Sequence, residues 1–405
     1  MQTHLADFIK DSDAGREADS ILRACVHCGF CNATCPTYQL LGDELDGPRG
    51  RIYLIKQVLE GQPVTERTQQ HLDRCLTCLN CETTCPSGVQ YGRLLDIGRS
   101  MVEQRVKRPV MANLVRFILL KTVPYPNRFK WFMGIGKLVS PLLPERLKSK
   151  LPNPNSPAKP FKKTRPASLS SRKVLLLGAC VQPHFQPSIN HSAERVLDKL
   201  GIETIHLHEE SCCGAMSHHL GAEDQTHTMI HRNIDAWWPH IESGAEAIVS
   251  TASACGLMIK DYGHLMRNDT EYAQKAERIS ALTRDISEVV AKEDLSQLEI
   301  KPAGKVAFHP PCTLQHGQQL SGVVETILTR AGFELLPIAD KHLCCGSAGT
   351  YSLLQPKLAN QLKSNKLQNL QADKPSIIAT ANIGCQEHLR SDSMVPVVHW
   401  IELLE

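Results

Sequence analysis

Two short stretches near the amino terminus constrain this chain more than anything else in it. "CVHCGFCNATCP" places cysteines at 25, 28, 31 and 35 before Pro36, and "CLTCLNCETTCP" repeats the spacing at 75, 78, 81 and 85 before Pro86. Both read C-x2-C-x2-C-x3-C-P, and the second copy lies 50 residues after the first, cysteine for cysteine. Three cysteines at this spacing let one tight loop present three thiolates to a compact inorganic core, while a fourth ligand must come from elsewhere. A proline after the fourth cysteine is expected to turn the chain away, because it cannot continue a hydrogen-bonded helix or strand. Structural zinc is the alternative, although its ligands usually come as two separated C-x2-C pairs.

The remaining composition fits that reading. Sixteen cysteines in 405 residues would suit a disulfide scaffold only in a short secreted domain. Here the opening "MQTHLADFIKDSDAG" lacks the charged start and apolar run of a secretory signal, and no apolar stretch reaches the length of a membrane span. A cytoplasmic metal–thiolate protein is therefore expected.

The two runs resemble those of bacterial ferredoxins carrying two 4Fe-4S clusters, in which the fourth cysteine of each run ligates the other cluster. The resemblance implies one cluster on Cys25, Cys28, Cys31 and Cys85, and a second on Cys75, Cys78, Cys81 and Cys35. Between the runs, Ile52, Ile55, Val58 and Leu59 recur at helical spacing with Gly61 as a stop, and "YGRLLDIGRSMVEQRVK" predicts another helix. Arg49 and Arg51 are expected on the solvated surface, with tuning of a cluster potential as the second reading.

Residues 105–172 hold 16 Lys and Arg against one acid, Glu145. "MANLVRFILLKTV" and "FKWFMGIGKLVSPLL" mix apolar and basic residues as interfacial helices do. "PNPNSPAKPFKKTRPASLSSRK" reads as a linker. Three roles compete for the helical part: packing on its own chain, docking to an acidic partner or to an anionic membrane leaflet, and nucleic-acid binding. No nucleic-acid motif accompanies the charge, so no nucleic-acid partner is expected.

The second half is a tandem repeat. Cys180, Cys212-Cys213-Gly214 and Cys255 recur as Cys312, Cys344-Cys345-Gly346 and Cys385, with 31 residues between the first cysteine and the pair in both copies. "KVLLLGAC" aligns with "KVAFHPPC", and "EAIVSTASAC" with "SIIATANIGC". Each copy predicts strand, helix, strand, cysteine-pair loop, helix, strand, an α/β unit with mostly parallel strands. Cys180, Cys255, Cys312 and Cys385 are each expected to close a strand, where sites form in open α/β sheets. Two further candidate metal or cluster sites follow: Cys180, Cys212, Cys213 and Cys255, and Cys312, Cys344, Cys345 and Cys385. A redox-active thiol pair without metal and buried structural cysteines are the other readings. His218, His219, His309 and His388 lie near these motifs as candidate ligands or proton carriers, with His388, three residues after Cys385, the most favoured.

The whole pattern is α+β and multi-domain. A helical ferredoxin-type domain is expected at 1–108, a basic helical connector and linker at 109–172, and two CCG domains at 173–300 and 301–405. Taken with "NIDAWWP" and "LCCGSAGTY", it resembles the family of iron-sulfur subunits of bacterial glycolate oxidase. Likeness to the corresponding proteins of glycerol-3-phosphate dehydrogenase, lactate utilisation and heterodisulfide reductase is more distant. The resemblance implies an electron-transfer subunit with no catalytic residues of its own. Its partners would be FAD-containing glycolate oxidase subunits that oxidise glycolate, or D-lactate, together with a quinone acceptor at the inner membrane surface. FAD is expected on the partner only, since no G-x-G-x-x-G follows a strand here. A disulfide or quinone reductase acting at the cysteine pairs is the rival. The wider family's repeat ends in C-x-x-C, whereas Met258 and His388 stand at that last position here, leaving four cysteines per unit.

Overall fold

The computed structural model describes residues 1–138 and 172–405. The stretch read as a linker lies outside the described residues, except that Arg172 and Lys173 already belong to the first strand.

The amino-terminal region is helical. Helices Asp13–Ala24, Pro48–Leu59, Glu66–Asp73 and Tyr91–Arg105 enclose Leu22, Ile55, Leu59, Leu72, Leu94 and Leu95, all fully buried. Ser12 and Thr65 cap two of these helices by accepting backbone N–H bonds, which satisfies donors the first turn leaves over. The prolines differ from expectation. Pro36 opens the helix Pro36–Leu41 with Cys35 as its N-cap, a place where a missing N–H costs nothing. Pro86 follows Cys85, which ends the helix Asn80–Thr84. Arg51 is also not on the surface: its side chain is 1% exposed, its Nε–H donates to the His71 carbonyl (2.8 Å), and Asp46 lies 3.5 Å from it.

Each cysteine-pair repeat forms a four-stranded parallel sheet. The first contains β1 (Arg172–Leu176), β2 (Ile202–Ile205), β3 (Ala247–Ser250) and β4 (Thr283–Asp285) in the order β2-β1-β3-β4. The second contains β5 (Lys305–His309), β6 (Glu334–Leu335), β7 (Ile377–Thr380) and β8 (Val397–His399) in the order β6-β5-β7-β8. The registers Val174↔Ala247 and Val306↔Ile377 repeat the same pairing in both sheets. The apolar runs of the central strands follow from burial on both faces, as parallel sheets require. The fourth strands were not predicted, because three residues such as "TRD" carry no strand pattern.

The two units interlock. Val174, Leu176 and Val249 of the first sheet and Val306, Phe308 and Ala379 of the second contribute to a single apolar core. The helix after β4, Ile286–Val290, packs on the first long helix of the other unit, Val323–Arg330. Reciprocally, the turn after β8, Trp400–Leu404, packs on Ser188–Lys199 of the first unit. Trp400, Ile401 and Leu404 are all fully buried there, worth about 1.5–3 kcal/mol for each side chain.

The helical region rests on both units through different chemistry. Towards the first unit the contacts are ionic: Arg93 Nη1 to Asp261 (2.6 Å), Asp96 to His218 Nε2 (3.2 Å), and Arg267 Nη2 to Glu17 (2.9 Å). Towards the second, Leu76 packs among Cys312, Cys344, Tyr351, Ala359 and Leu362, with neutral hydrogen bonds around them: Asn80 Nδ2 donates to the His342 carbonyl (3.2 Å), Tyr351 donates to the Arg74 carbonyl (3.2 Å), and Thr83 pairs with His316 Nδ1 (2.9 Å).

His399 closes β8 and joins the units, donating from Nε2 to the Thr251 carbonyl (2.9 Å) while Nδ1 accepts the Ile401 N–H (3.3 Å). Burial pushes its pKa down to about 4, against about 6.5 in an unfolded chain. Between those values the unfolded state binds the extra proton, so stability is lost as pH falls through that window. Thermal denaturation should show Tm falling from pH 6.5 towards 4, with a shallower slope in His399→Gln. An unchanged slope refutes the assignment.

Candidate metal centres

All sixteen cysteines are free thiols, and they gather into four groups. The first two groups lie in the helical region. Each three-cysteine loop passes through two left-handed residues at matching positions, His27 (φ 56°) and Gly29 (φ 86°) in one, Thr77 (φ 51°) and Leu79 (φ 59°) in the other. Residues other than glycine adopt this conformation at a cost of about 1–3 kcal/mol, and only where the surroundings impose it. The result is a loop curled around a hollow.

Cys25, Cys28, Cys31 and Cys85 line the first hollow with Arg49, Ile52 and Val89. Burial, and then the neighbouring Cys25, Cys85 and Cys28, push the Cys31 thiol up to about 11. Cys35, Cys75, Cys78 and Cys81 line the second with Thr37, Leu76 and Tyr91. Burial, then Cys78, Cys75 and Cys35, push the Cys81 thiol well above its ordinary value. The fourth cysteine of each run thus faces the hollow of the other run. Pro48, Cys81 and Tyr91 line both hollows, so the two are immediate neighbours. The buried Arg51 lines the second, reaching Thr37 Oγ1 (3.1 Å), which in turn lies 3.3 Å from Cys35 Sγ.

The third group sits at the carboxyl ends of β1, β2 and β3. Cys180 follows β1, the 212–213 pair follows β2, and Cys255 lies in the first turn of the helix Ser253–Lys260 rather than at the end of a strand. The Cys212 thiol contacts those of Cys180 and Cys213, and Cys213 contacts Cys255. A buried clamp holds the pair: Asn233 donates to the Cys212 carbonyl (3.1 Å) and Tyr262 to the Cys213 carbonyl (2.9 Å). Nothing in the local sequence marks Asn233 or Tyr262 for this role.

The fourth group repeats the arrangement beyond β5, β6 and β7. Contacts run from Cys312 to Cys344, Cys345 and Cys385, with Cys385 in the first turn of the helix Ile383–Arg390. Gly346 has φ 88°, and a Cβ there would lie 2.5 Å from the Ala359 carbonyl oxygen, so only glycine lets the pair approach its helix.

Around this common frame the two groups differ. The Cys312 thiol also contacts Cys78, so the fourth group adjoins the second hollow directly. Lys366, 3% exposed, donates to the Asp340 carbonyl (2.7 Å) and carries its charge beside Cys312, Cys345 and Cys344. The signal for it is a lysine among buried Ala359, Leu362, Leu367 and Leu370 on one face of the helix Pro356–Gln371. His388 Nε2 is directed to the Ala359 carbonyl (3.3 Å), whereas His309, buried at the end of β5, lies with Cys345 and Cys385, their donor atoms within 4.8 Å of one another. His218 pairs with Asp96, and burial pushes the adjacent His219 down to about 4.

This donor chemistry fits iron–sulfur cofactors. Clustered thiolates select iron–sulfur centres or zinc, and a bound metal offsets the burial and the mutual repulsion that raise these thiols.

Comparison with known proteins agrees. Residues 21–89 match the model of the 4Fe-4S dicluster domain, and residues 174–260 and 306–390 each match the cysteine-rich domain. The chain is 55% identical to the glycolate oxidase iron-sulfur subunit of Escherichia coli K12, over 100% of this chain and 98% of that one. It is 28% identical to a probable glycolate oxidase iron-sulfur subunit of Bacillus subtilis, over 89% and 86% of the two chains. Lactate utilization protein A of Bacillus licheniformis is 26% identical over 57% of this chain and 98% of its own. A crystal structure of a hypothetical protein from Helicobacter pylori shares the fold, with a TM-score of 0.55 at 12% identity, over 96% of this chain and 71% of that one. Carrying iron–sulfur and cysteine-rich domains, and sharing more than half its residues with the Escherichia coli subunit along the full length, the chain belongs to the family of glycolate oxidase iron-sulfur subunits.

Proposed function

We propose that this chain is the electron-transfer subunit of a glycolate oxidase complex. In this reading it takes electrons from a partner subunit whose FAD oxidises glycolate to glyoxylate, and passes them to a quinone. The observation that carries the proposal is continuity: the first two hollows share lining residues, and Cys78 of the second touches Cys312 of the fourth group. We assign one 4Fe-4S cluster to Cys25, Cys28, Cys31 and Cys85, and another to Cys35, Cys75, Cys78 and Cys81. Further centres are assigned to Cys180, Cys212, Cys213 and Cys255, and to Cys312, Cys344, Cys345 and Cys385. Iron–sulfur clusters, when bound, accept and release single electrons, which divides the two-electron output of a flavin. The chain's own residues hold the thiolates, keep water away with Leu76 and Tyr91, and offset charge with Arg51 and Lys366. By the same reading, residues 1–108, 109–172, 173–300 and 301–405 are the functional divisions.

The helices Val110–Thr122 and Pro126–Leu138 support peripheral attachment to the inner membrane. No side chain of the first is buried, and Met111, Phe117, Trp131 and Phe132 stand exposed beside basic residues. Phe129 anchors the pair to the first unit, its ring 5.9 Å from Phe185. Among the described residues no helix is long and apolar enough to cross a membrane. An amphipathic pair lying on an anionic leaflet uses these features.

The reading is tested by anaerobic purification, iron and sulfide analysis and EPR. Cys85→Ser should abolish one ferredoxin-type signal and Cys35→Ser the other, each with loss of about four irons. Loss of the wrong cluster in either variant rejects the crossed ligand sets. Reduction of the clusters by glycolate, D-lactate or glycerol 3-phosphate, in the presence of the flavoprotein, identifies the donor. Failure of all three to reduce them overturns the proposed electron source. For attachment, Phe117→Glu with Trp131→Glu should lower co-sedimentation with anionic vesicles at least tenfold at low salt. Equal binding by the variant excludes the helical pair.

A further inference from the structure

We propose that His309 is a metal ligand in the second cysteine-rich unit, placing an imidazole nitrogen beside the thiolates of Cys345 and Cys385. The inference rests on the reading that this unit binds iron.

Three observations carry it. First, His309 is 1% exposed, and neither of its ring nitrogens has a partner among the described residues. Leaving a buried polar group unsatisfied is costly, so a ring kept in that state needs a partner that the protein alone does not supply. Second, a nitrogen of this ring and the two sulfurs all lie within 4.8 Å of one another. Ligands bound to one metal at roughly 2.0–2.3 Å come within about 4 Å of each other, so a small closure completes the site. Third, the position is specific to this unit. In the aligned "KVLLLGAC" the corresponding residue is Leu177, and no histidine–cysteine group of this kind occurs in the first unit among the described residues. His388, at the position where the wider repeat has another cysteine, is committed to the Ala359 carbonyl instead.

The consequence is electrochemical. A neutral imidazole in a ligand set where the wider repeat has one more thiolate raises the potential of an iron–sulfur centre, as the histidines of Rieske proteins do. A nitrogen-ligated centre touching the second hollow through Cys312 and Cys78 would draw electrons out of the two ferredoxin-type clusters. The second unit is then the low-energy end of the relay, and the first, which lacks both the histidine and the Cys78 contact, is not.

The test uses the full-length protein, purified anaerobically with its clusters and grown with 15N-histidine. Pulsed EPR of the reduced wild type should show a directly coordinated nitrogen that changes on labelling, a measurement that needs no substitution. The coupling should vanish in His309→Ala and persist in His388→Ala. In His309→Cys the iron should be retained, while the reduced-to-oxidised ratio of this centre at fixed ambient potential falls tenfold or more. Iron beyond the roughly eight atoms of two 4Fe-4S clusters, but without a histidine nitrogen, overturns the role of His309 and leaves the iron reading of the unit intact. About eight irons and no more overturns both. A nitrogen coupling that survives His309→Ala assigns the ligand elsewhere and also overturns the proposal.

Discussion

Thiolates crowded into one buried spot repel one another, and the architecture is arranged around that repulsion. At about 4 Å, two unit charges cost roughly 4 kcal/mol at an effective dielectric of 20, and each site here gathers four such groups. The protein's own cations answer only part of this. Arg51 lines the second hollow and Lys366 borders the fourth group, and both are themselves buried, Arg51 beside the Asp46 carboxylate and Lys366 against the Asp340 carbonyl. In the proposed clusters the remaining compensation falls to iron, which would make cluster and scaffold mutually dependent. The left-handed residues of the two loops belong to the same balance, since their strain is tolerated where the loop has something to enclose.

Duplication supplied a second scaffold without preserving its contents. The strand order, the position of the cysteine pair and the left-handed glycine after it are common to both units. What differs is what faces the sulfurs: Leu177 and Met258 in one unit, His309, Lys366 and Cys78 in the other. The contacts with the helical region diverge in the same sense. Ion pairs such as Arg93–Asp261 hold the helical region to the first unit, whereas the seam with the second combines the packing of Leu76 and Cys312 with neutral hydrogen bonds. In the proposed relay this seam lies between the second and fourth cysteine groups.

The sequence made the α+β class, the two ferredoxin-type runs, their neighbouring helices and the tandem units legible, because cysteine spacing and apolar periodicity are local signals. The contact of Cys78 with Cys312 was not legible, since 233 residues separate them and no pattern couples the two. Arg51 was misplaced on the surface because its burial depends on Asp46, His71 and Thr37 arriving from three other segments. The preference for His388 over His309 came from counting along the chain. The helix after Cys385 turns His388 towards the Ala359 carbonyl, while the end of β5 delivers His309 among the sulfurs. Proline was judged by what it forbids, yet Pro36 occupies the one helical position that welcomes it.

The reciprocal packing of the terminal segments also sets an order of events. The helix Ser188–Lys199 is covered in part by Trp400–Leu404, about two hundred residues later in the chain. During synthesis the first unit therefore has its cysteines in place long before its core is closed. That core is completed as the last turn of the second unit arrives.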